Sequence, residues 1–176
     1  MNILGLDVST RIIGYTVMTD EFEVLKCDYI DLSKIDLMID KAEFVFKQLE
    51  EIKIRYDIGD VAIEECVSKF AGGRSSIKTI SKLFFINILT QYQCFRIFNV
   101  YPTLLNVRRA RNLADIKINR GDDSKEVVFG IIKNRHESIG WPRIKRDTTR
   151  FSKECYDMAD SVVVSHAMLK ENEVNE

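Results

Sequence analysis

The chain has 176 residues and a formal net charge of −1, with 45% hydrophobic and 30% charged residues. This composition is typical of one globular domain and excludes a disordered chain. No apolar run approaches the length of a membrane span, and no basic segment precedes an apolar leader. The four cysteines are widely spaced and only two histidines are present, so no zinc site is expected. We therefore expect reduced thiols in a cytoplasmic protein.

The charges are segregated along the chain. Residues 66–153 carry a net charge of +12, whereas residues 1–60 carry −6 and residues 154–176 carry −5. Solvated lysines scattered over helices are the ordinary interpretation of a basic segment, but they do not account for this segregation. A basic face that binds a polyanion, above all nucleic acid, is the interpretation that the pattern favours.

The first nineteen residues contain two apolar runs, Ile3–Leu6 and Ile12–Met18, separated by a polar turn. This pattern predicts two buried strands joined as a hairpin. Asp7 ends the first run, where a carboxylate is expensive to bury without a cation or a hydrogen-bond donor. A turn or cap aspartate is the ordinary alternative, and this stretch alone does not decide between the two.

Further along, a third strand is predicted at residues 22–32, and apolar positions spaced by three and four predict a helix at 36–56. Gly59-Asp60 is interpreted as a break in regular secondary structure. A short strand, Val61–Ile63, follows it and ends in Glu64-Glu65. A basic loop at 66–75 precedes a helix that runs from Ile77 to about Phe95. This helix is apolar nearly all round, so we expect one side to pack on the sheet and the other on a second subunit.

The remaining segments are a fifth strand at 97–101, a basic helical turn or loop at 104–114, a helix from Asp123 or Ser124 to Arg135, a basic loop at 137–152 and a last helix at 153–169. The predicted fold is α/β, with a mixed five-stranded sheet and helices on both faces. Its first three strands should be antiparallel, and the fourth and fifth parallel to the first. We predict a single domain over residues 1–170 and a frayed acidic tail at 171–176.

Carboxylates follow buried segments at three places in the chain. Asp7 and Glu64 should emerge at one edge of the sheet if their strands are parallel neighbours. Asp157 and Asp160 are three residues apart and share a helix face. Glu65 competes with Glu64, because strand alternation does not choose between them. Such a cluster would require a counter-ion, and all-oxygen ligands favour Mg²⁺ or Mn²⁺. The alternative is that Asp157 and Asp160 lie on a solvated helix face.

Three motifs in this order resemble those of the RuvC-type Holliday junction resolvases, particularly bacteriophage versions: ILGLDVSTRIIGYTV, VAIEE and YDMADSVVVSHA. The resemblance covers nearly the whole chain and implies an RNase H-like fold. It also implies a homodimer, seated on the helix around Ile77–Phe95, that nicks opposing strands of a four-way DNA junction symmetrically. The chain departs from cellular members at the turn after Asp7, and at Val67, where those members commonly have an aromatic residue.

By motif position, the resemblance assigns catalysis and the binding of two Mg²⁺ ions to Asp7, Glu64, Asp157 and Asp160, and it prefers Glu64 to Glu65. Lys125 resembles the family's phosphate-contacting lysine, and the loop after Glu64 its junction-probing loop. The candidate DNA-binding residues are Lys69, Phe70, Arg74, Lys78, Arg108 and Lys125.

Two other functions are compatible with parts of the sequence. An endonuclease of the same fold could cut branched DNA more broadly, including Y-shaped and flapped forms. An actin-like sugar kinase also opens with strand, aspartate, turn and strand, but it requires a second phosphate loop that is not found here. A non-catalytic junction-binding module is a further alternative, against which the presence of all four acids argues.

Overall fold

The three strands that short turns connect lie side by side in the sheet. The computed structural model describes residues 1–66 and 77–175. Its main sheet has the strand order β3-β2-β1-β4-β5, in which β1, β2 and β3 are antiparallel and β4 and β5 run parallel to β1. The strands are β1 (Asn2–Val8), β2 (Ile12–Thr19), β3 (Val24–Asp31), β4 (Ile58–Glu64) and β5 (Thr103–Leu105). The predicted α/β sheet and its strand directions are confirmed.

Helices cover both faces of this sheet, because strand alternation sends apolar side chains to two separate cores. The helices are α1 (Met38–Arg55), α2 (Ile77–Phe98), α3 (Val107–Leu113), α4 (Ser124–Arg135) and α5 (Glu154–Asn175). Leu4, Leu6 and Val17 face the core formed with α1 and α2. Ile3 and Met18 face the opposite core, which is formed with α3, α4 and α5. In the part of the chain that the structure describes, no helix is both long and apolar enough to cross a membrane.

The chain between α2 and β5 differs from the prediction. The expected strand at 97–101 is wrong, because the buried face of α2 continues through Cys94 and Ile97 and the helix ends only at Phe98. Asn99 then adopts a left-handed conformation with φ 59°, and its N–H donates to the carbonyl of Phe95 at 2.9 Å. This is a common way to end a helix. The fifth strand therefore follows Pro102 instead of preceding it.

Three other predicted segments are also corrected. Gly59-Asp60 does not break the chain but lies inside β4, where Asp60 pairs with Ile3 of β1. The basic loop at 137–152 contains a two-stranded hairpin, β6 (Arg143–Ile144) and β7 (Asp147–Phe151). The last helix does not end at Leu169, and the acidic residues expected to fray are helical through Asn175. Glu171 in this extension forms an ion pair with Arg109, whose Nε lies 2.7 Å from the Glu171 carboxylate.

Helix α5 packs closely against β1 and β2, because glycines and small hydroxyl residues line the contact. A Cβ built on Gly14 would lie 2.0 Å from the carbonyl oxygen of Asp157, and one on Gly5 would lie 2.7 Å from that of Ser161. The buried hydroxyls of Thr16 and Ser161 are hydrogen-bonded at 2.8 Å. The helix backbone therefore rests almost directly on the sheet.

This close approach makes Gly14 sensitive to substitution. We expect Gly14→Ala to lower the free energy of unfolding by about 3 kcal/mol, because the added methyl group overlaps the backbone of Asp157 and α5 must shift. Urea denaturation followed by circular dichroism measures the change. Gly130→Ala in α4 is the matched control, since a Cβ there meets nothing within 4 Å. It should leave stability unchanged or raise it by up to about 1 kcal/mol. Equal stability of the two variants would contradict the tight α5 contact.

Candidate active site

Two carboxylates lie at the ends of neighbouring parallel strands. Leu6 of β1 pairs with Ile63 of β4, so the residues that follow them, Asp7 and Glu64, emerge beside each other at the same edge of the sheet. The amide of Asn87 on α2 donates to the backbone carbonyl of Glu64 at 3.2 Å and ties the strand end to that helix. The predicted meeting of these two acids at one sheet edge is thus observed.

The first turns of α5 bring two more carboxylates to the same place. Asp7 pairs with Gly14 across the β1–β2 hairpin, and Gly14 lies directly beneath the carbonyl group of Asp157. The pKa of Asp7 is raised well above its usual value, first by burial and then by repulsion from Glu64, Asp160 and Asp157. Four acids from three elements therefore share one electrostatic environment.

The other three acids are affected in the same direction. Burial, with repulsion from Asp160, raises the pKa of Glu64 to about 7. Burial also raises the pKa of Asp157 to about 6 and shifts that of Asp160 upward. The cluster is therefore poorly solvated and holds more negative charge than its surroundings favour.

Two cations partly compensate these acids. The guanidinium of Arg111 on α3 lies 3.9 Å from the carboxylate of Asp160, and both side chains are largely buried, at 21% and 13% exposure. Lys125, in the first turn of α4, lowers the pKa values of Asp7, Glu64, Asp157 and Asp160. The predicted start of α4 is confirmed, because the carboxylate of Asp123 accepts from the N–H of Lys125 at 2.9 Å.

A groove opens from the cluster along the start of α5. Its volume is about 540 Å³, and its wall includes two acids, Glu154 and Asp157, together with three cations, Arg11, Lys125 and Lys153. Arg11 comes from the β1–β2 turn and Lys153 from the residue before α5. Sequence reasoning did not select Arg11, Arg111 or Lys153 as site residues. The apolar patterns around these residues predict local secondary structure. They do not predict that the β1–β2 turn, α3 and the start of α5 lie close together in the fold.

The other candidate residues are placed as follows. Glu64 joins the cluster, whereas the side chain of Glu65 is exposed and its backbone N–H donates to Leu105 at 2.9 Å. Lys78 and Arg108 are exposed and form no ion pair with the four acids. His166 packs on Phe22, with ring centroids 4.6 Å apart, and belongs to another part of α5. The remaining candidates lie outside the described residues: Lys69, Phe70 and Arg74.

The oxygen atoms of the four acids are suitable ligands for a divalent metal ion, but the side chains are not arranged to coordinate one. Within residues 1–66 and 77–175, no group of three or more His, Cys, Asp or Glu side chains is arranged so that it could hold a metal ion. The donors themselves fit, because four carboxylates whose pKa values burial raises would gain from a bound cation.

The raised pKa values predict how stability depends on pH. The usual pKa of a glutamate is 4.5, whereas that of Glu64 in the folded chain is about 7. Between these two pH values, the folded metal-free chain keeps a proton on Glu64 that the unfolded chain has lost. Its free energy of unfolding therefore falls as the pH rises through this window. At pH 8 in EDTA, we expect Glu64→Gln to raise the free energy of unfolding by about 1–3 kcal/mol, because it removes one buried charge. Urea titrations at several pH values measure this effect.

The control for this prediction is Glu65→Gln, which removes the same charge from an exposed neighbour. It should change the unfolding free energy by less than about 0.5 kcal/mol at every pH. An equal effect of the two substitutions, or no gain for Glu64→Gln at pH 8, would contradict a buried, mutually repelling cluster.

Comparisons with known proteins identify the fold. No protein-family model and no curated protein matches the chain. RuvC from Thermus thermophilus, in complex with a Holliday junction substrate, has a TM-score of 0.68 at 14% identity, over 99% of this chain and 96% of that one. The yeast mitochondrial Holliday junction resolvase Ydc2 has a TM-score of 0.59 at 14% identity, over 96% of this chain and 77% of that one. Fowlpox virus resolvase, in complex with substrate Holliday junction DNA, has a TM-score of 0.53 at 13% identity, over 98% of this chain and 99% of that one. The chain therefore has the fold of the RuvC-type Holliday junction resolvases, as the sequence motifs predict.

Proposed function

We propose that this protein is a metal-dependent DNA endonuclease that resolves four-way junctions by paired, symmetric nicks. The observation that carries the proposal is the meeting of Asp7, Glu64, Asp157 and Asp160 in one buried cluster, with a basic groove beside it. The similar structures that span nearly the whole chain include two resolvases with Holliday junctions.

The four acids would hold two Mg²⁺ ions in each active site, with Mn²⁺ as a substitute. Bound in this way, such ions activate a water molecule and stabilise the leaving oxygen of a phosphodiester. The protein supplies the all-oxygen donors and the spacing of strand ends and helix that brings them together. Histidine and cysteine are not part of the cluster, and this donor set favours magnesium over zinc.

The cations around the cluster would position the DNA strand. Lys125 is in the first turn of α4 and close enough to the acids to lower their pKa values. A phosphate would be held there by its charge and the helix dipole. Arg11 and Lys153 line the groove that leads away from the acids and would bind neighbouring phosphates. We propose Lys69, Phe70, Arg74, Lys78 and Arg108 as further DNA contacts on the basic middle segment.

The partner that completes the molecule is proposed to be a second copy of the chain, bound through α2. One face of this helix packs on α1 and the sheet, with Ile86, Cys94 and Ile97 buried. The opposite face exposes four large side chains in a helical stripe: Phe84, Phe85, Ile88 and Tyr92. A contiguous apolar stripe of this kind marks an interface. A dimer would present two acid clusters to opposing strands of one junction, which accounts for paired nicks.

Cleavage of defined DNAs tests the proposed activity. We expect the wild-type protein in Mg²⁺ to cut a synthetic four-way junction at paired sites, and to cut linear duplex at least about 100-fold more slowly. Mapped nicks on labelled strands give the rates and positions. A broader branched-DNA endonuclease of the same fold is the alternative. Equal rates on four-way, Y-shaped and linear DNA would contradict a resolvase.

The cluster is tested in the same assay by Asp7→Asn, which keeps the shape of the side chain and removes its charge. Loss of a direct metal ligand should exceed the 10- to 100-fold effect typical of outer-shell residues, so we expect a fall of more than about 100-fold in cleavage. Junction binding should be retained in an electrophoretic mobility assay. Glu65→Gln is the matched control and should cleave normally. Mg²⁺-dependent cutting by Asp7→Asn at the wild-type rate would reject the cluster.

The dimer is tested by placing a charge in the stripe on α2. We expect Ile88→Glu to be monomeric at micromolar concentration in sedimentation velocity, because a carboxylate is costly to bury in an apolar interface. Ile54→Glu, at an exposed isoleucine of α1, is the control and should sediment as the wild type. A wild-type protein that is monomeric under these conditions would contradict the dimer.

A further inference from the structure

The hairpin β6–β7 connects α4 to α5 and is fixed to the molecule at its base. An isolated two-stranded hairpin is marginally stable, so its order depends on this attachment. The ring of Phe151 packs against that of Phe129 on α4, with centroids 5.0 Å apart, and Trp141 packs on the same ring at 5.2 Å. The N–H of Ser152 donates to the carbonyl of Pro142 at 3.0 Å and closes the base.

The tip of the hairpin takes no part in either core. Ile144 is the only large apolar side chain among residues 144–150; it is 36% exposed and lies outside both hydrophobic clusters. Arg143 belongs to the base, because its guanidinium lies 4.4 Å from the ring centroid of Phe151 and donates to the carbonyl of Thr148 at 3.0 Å. The tip therefore contributes charge and not packing.

That charge is strongly positive and largely uncompensated. Residues 143–151 carry a net charge of +3. Lys145, Arg146 and Arg150 are exposed, and none of them forms an ion pair in the described part of the chain. The carboxylate of Asp147 is occupied locally, since it accepts from the N–H of Thr149 at 3.1 Å. Three cations are thus available to a polyanion.

The hairpin also lies close to the acid cluster. Phe129, which holds its base, is one helical turn, about 6 Å, beyond Lys125 on α4. Tyr156 bridges the two positions: its ring is 5.7 Å from that of Phe129 and 6.0 Å from the ammonium of Lys125. A DNA strand held at Lys125 would therefore have its neighbouring phosphates within reach of the hairpin, because a duplex carries one charge per ~1.7 Å of its axis.

We propose that the β6–β7 hairpin binds the phosphate backbone of a duplex DNA arm beside the cut strand, through Lys145, Arg146 and Arg150. The proposal rests on the proposed nuclease function and adds a contact surface to it. Contacts of this kind fix the position of the DNA without reading its sequence. They give affinity that falls steeply with salt.

The test compares salt dependence of binding with and without these cations. Binding of the full chain to a fluorescent four-way junction, and to a linear duplex with the sequence of one arm, is measured by anisotropy in EDTA from 50 to 300 mM KCl. Each phosphate contact contributes about 0.9 to the slope of log K against log salt. We expect the triple variant Lys145→Gln, Arg146→Gln, Arg150→Gln to have a slope shallower by about 2 to 3 on both DNAs.

The matched control removes three cations that the structure shows in ion pairs, Lys26, Lys47 and Arg55, by substitution with Gln. It changes the net charge by the same amount and should leave the slope within about 0.5 of the wild type. Circular dichroism verifies that both triple variants are folded. A slope unchanged by the hairpin substitutions, or one that changes equally in the control, would overturn the proposal.

Cleavage assays on the same proteins distinguish this proposal from the proposed function. A wild-type protein that binds with a hairpin-dependent slope but never cuts DNA would contradict the nuclease and support the hairpin contact. A junction-cutting protein whose slope does not depend on the hairpin would support the nuclease and overturn the hairpin contact. One strand of the linear duplex, measured alone as a third probe, tests the duplex assignment. A slope that the hairpin substitutions change on this single strand but not on the duplex would overturn it.

Discussion

The candidate site depends on how closely α5 approaches the sheet. Gly5 and Gly14 leave no side chain between the strands and the helix backbone, and the hydroxyls of Thr16 and Ser161 satisfy each other in the buried seam. With a bulkier seam, the helix would stand farther from the sheet. Asp157 and Asp160 would then be separated from Asp7 and Glu64, and the cluster would divide into a pair at the strand ends and a pair on the helix. The small residues between α5 and the sheet thus determine whether the acids of the candidate site come together.

Bringing the acids together works against stability. Asp7 has its pKa raised by burial and by three other carboxylates, and Lys125 opposes this effect. Arg111 and Lys125 together oppose the corresponding rise in the pKa values of Glu64 and Asp160. A core designed only for stability would place apolar side chains at these strand ends. Perturbed carboxylates that meet at a sheet edge beside a basic groove are instead typical of functional sites. Lys125, which offsets part of this repulsion, also lines the groove.

Much of this arrangement could be predicted from the sequence. Apolar runs that end in Asp7 and Glu64 placed both acids at strand ends, and their parallel alignment followed from the helix between them. The spacing of Asp157 and Asp160 placed both on one helix face. The end of α2 was missed, because Ile97 continues a helical face but also begins an apolar run that suits a strand. Arg111 and the β6–β7 hairpin were missed because their roles come from tertiary contacts, which a local pattern does not encode.

The cluster also has a kinetic consequence. Asp7 and Asp157 are separated by 150 positions, and the paired strands β1 and β4 are themselves separated in the chain by β2, β3 and α1. Contacts between such distant segments form late in folding, because closing long loops is entropically unfavourable. A partly folded chain in which the sheet has formed but α5 has not docked has only half of the acids in place. The complete cluster would therefore form only at the final stage of folding, and a misfolded or truncated chain without α5 would lack it.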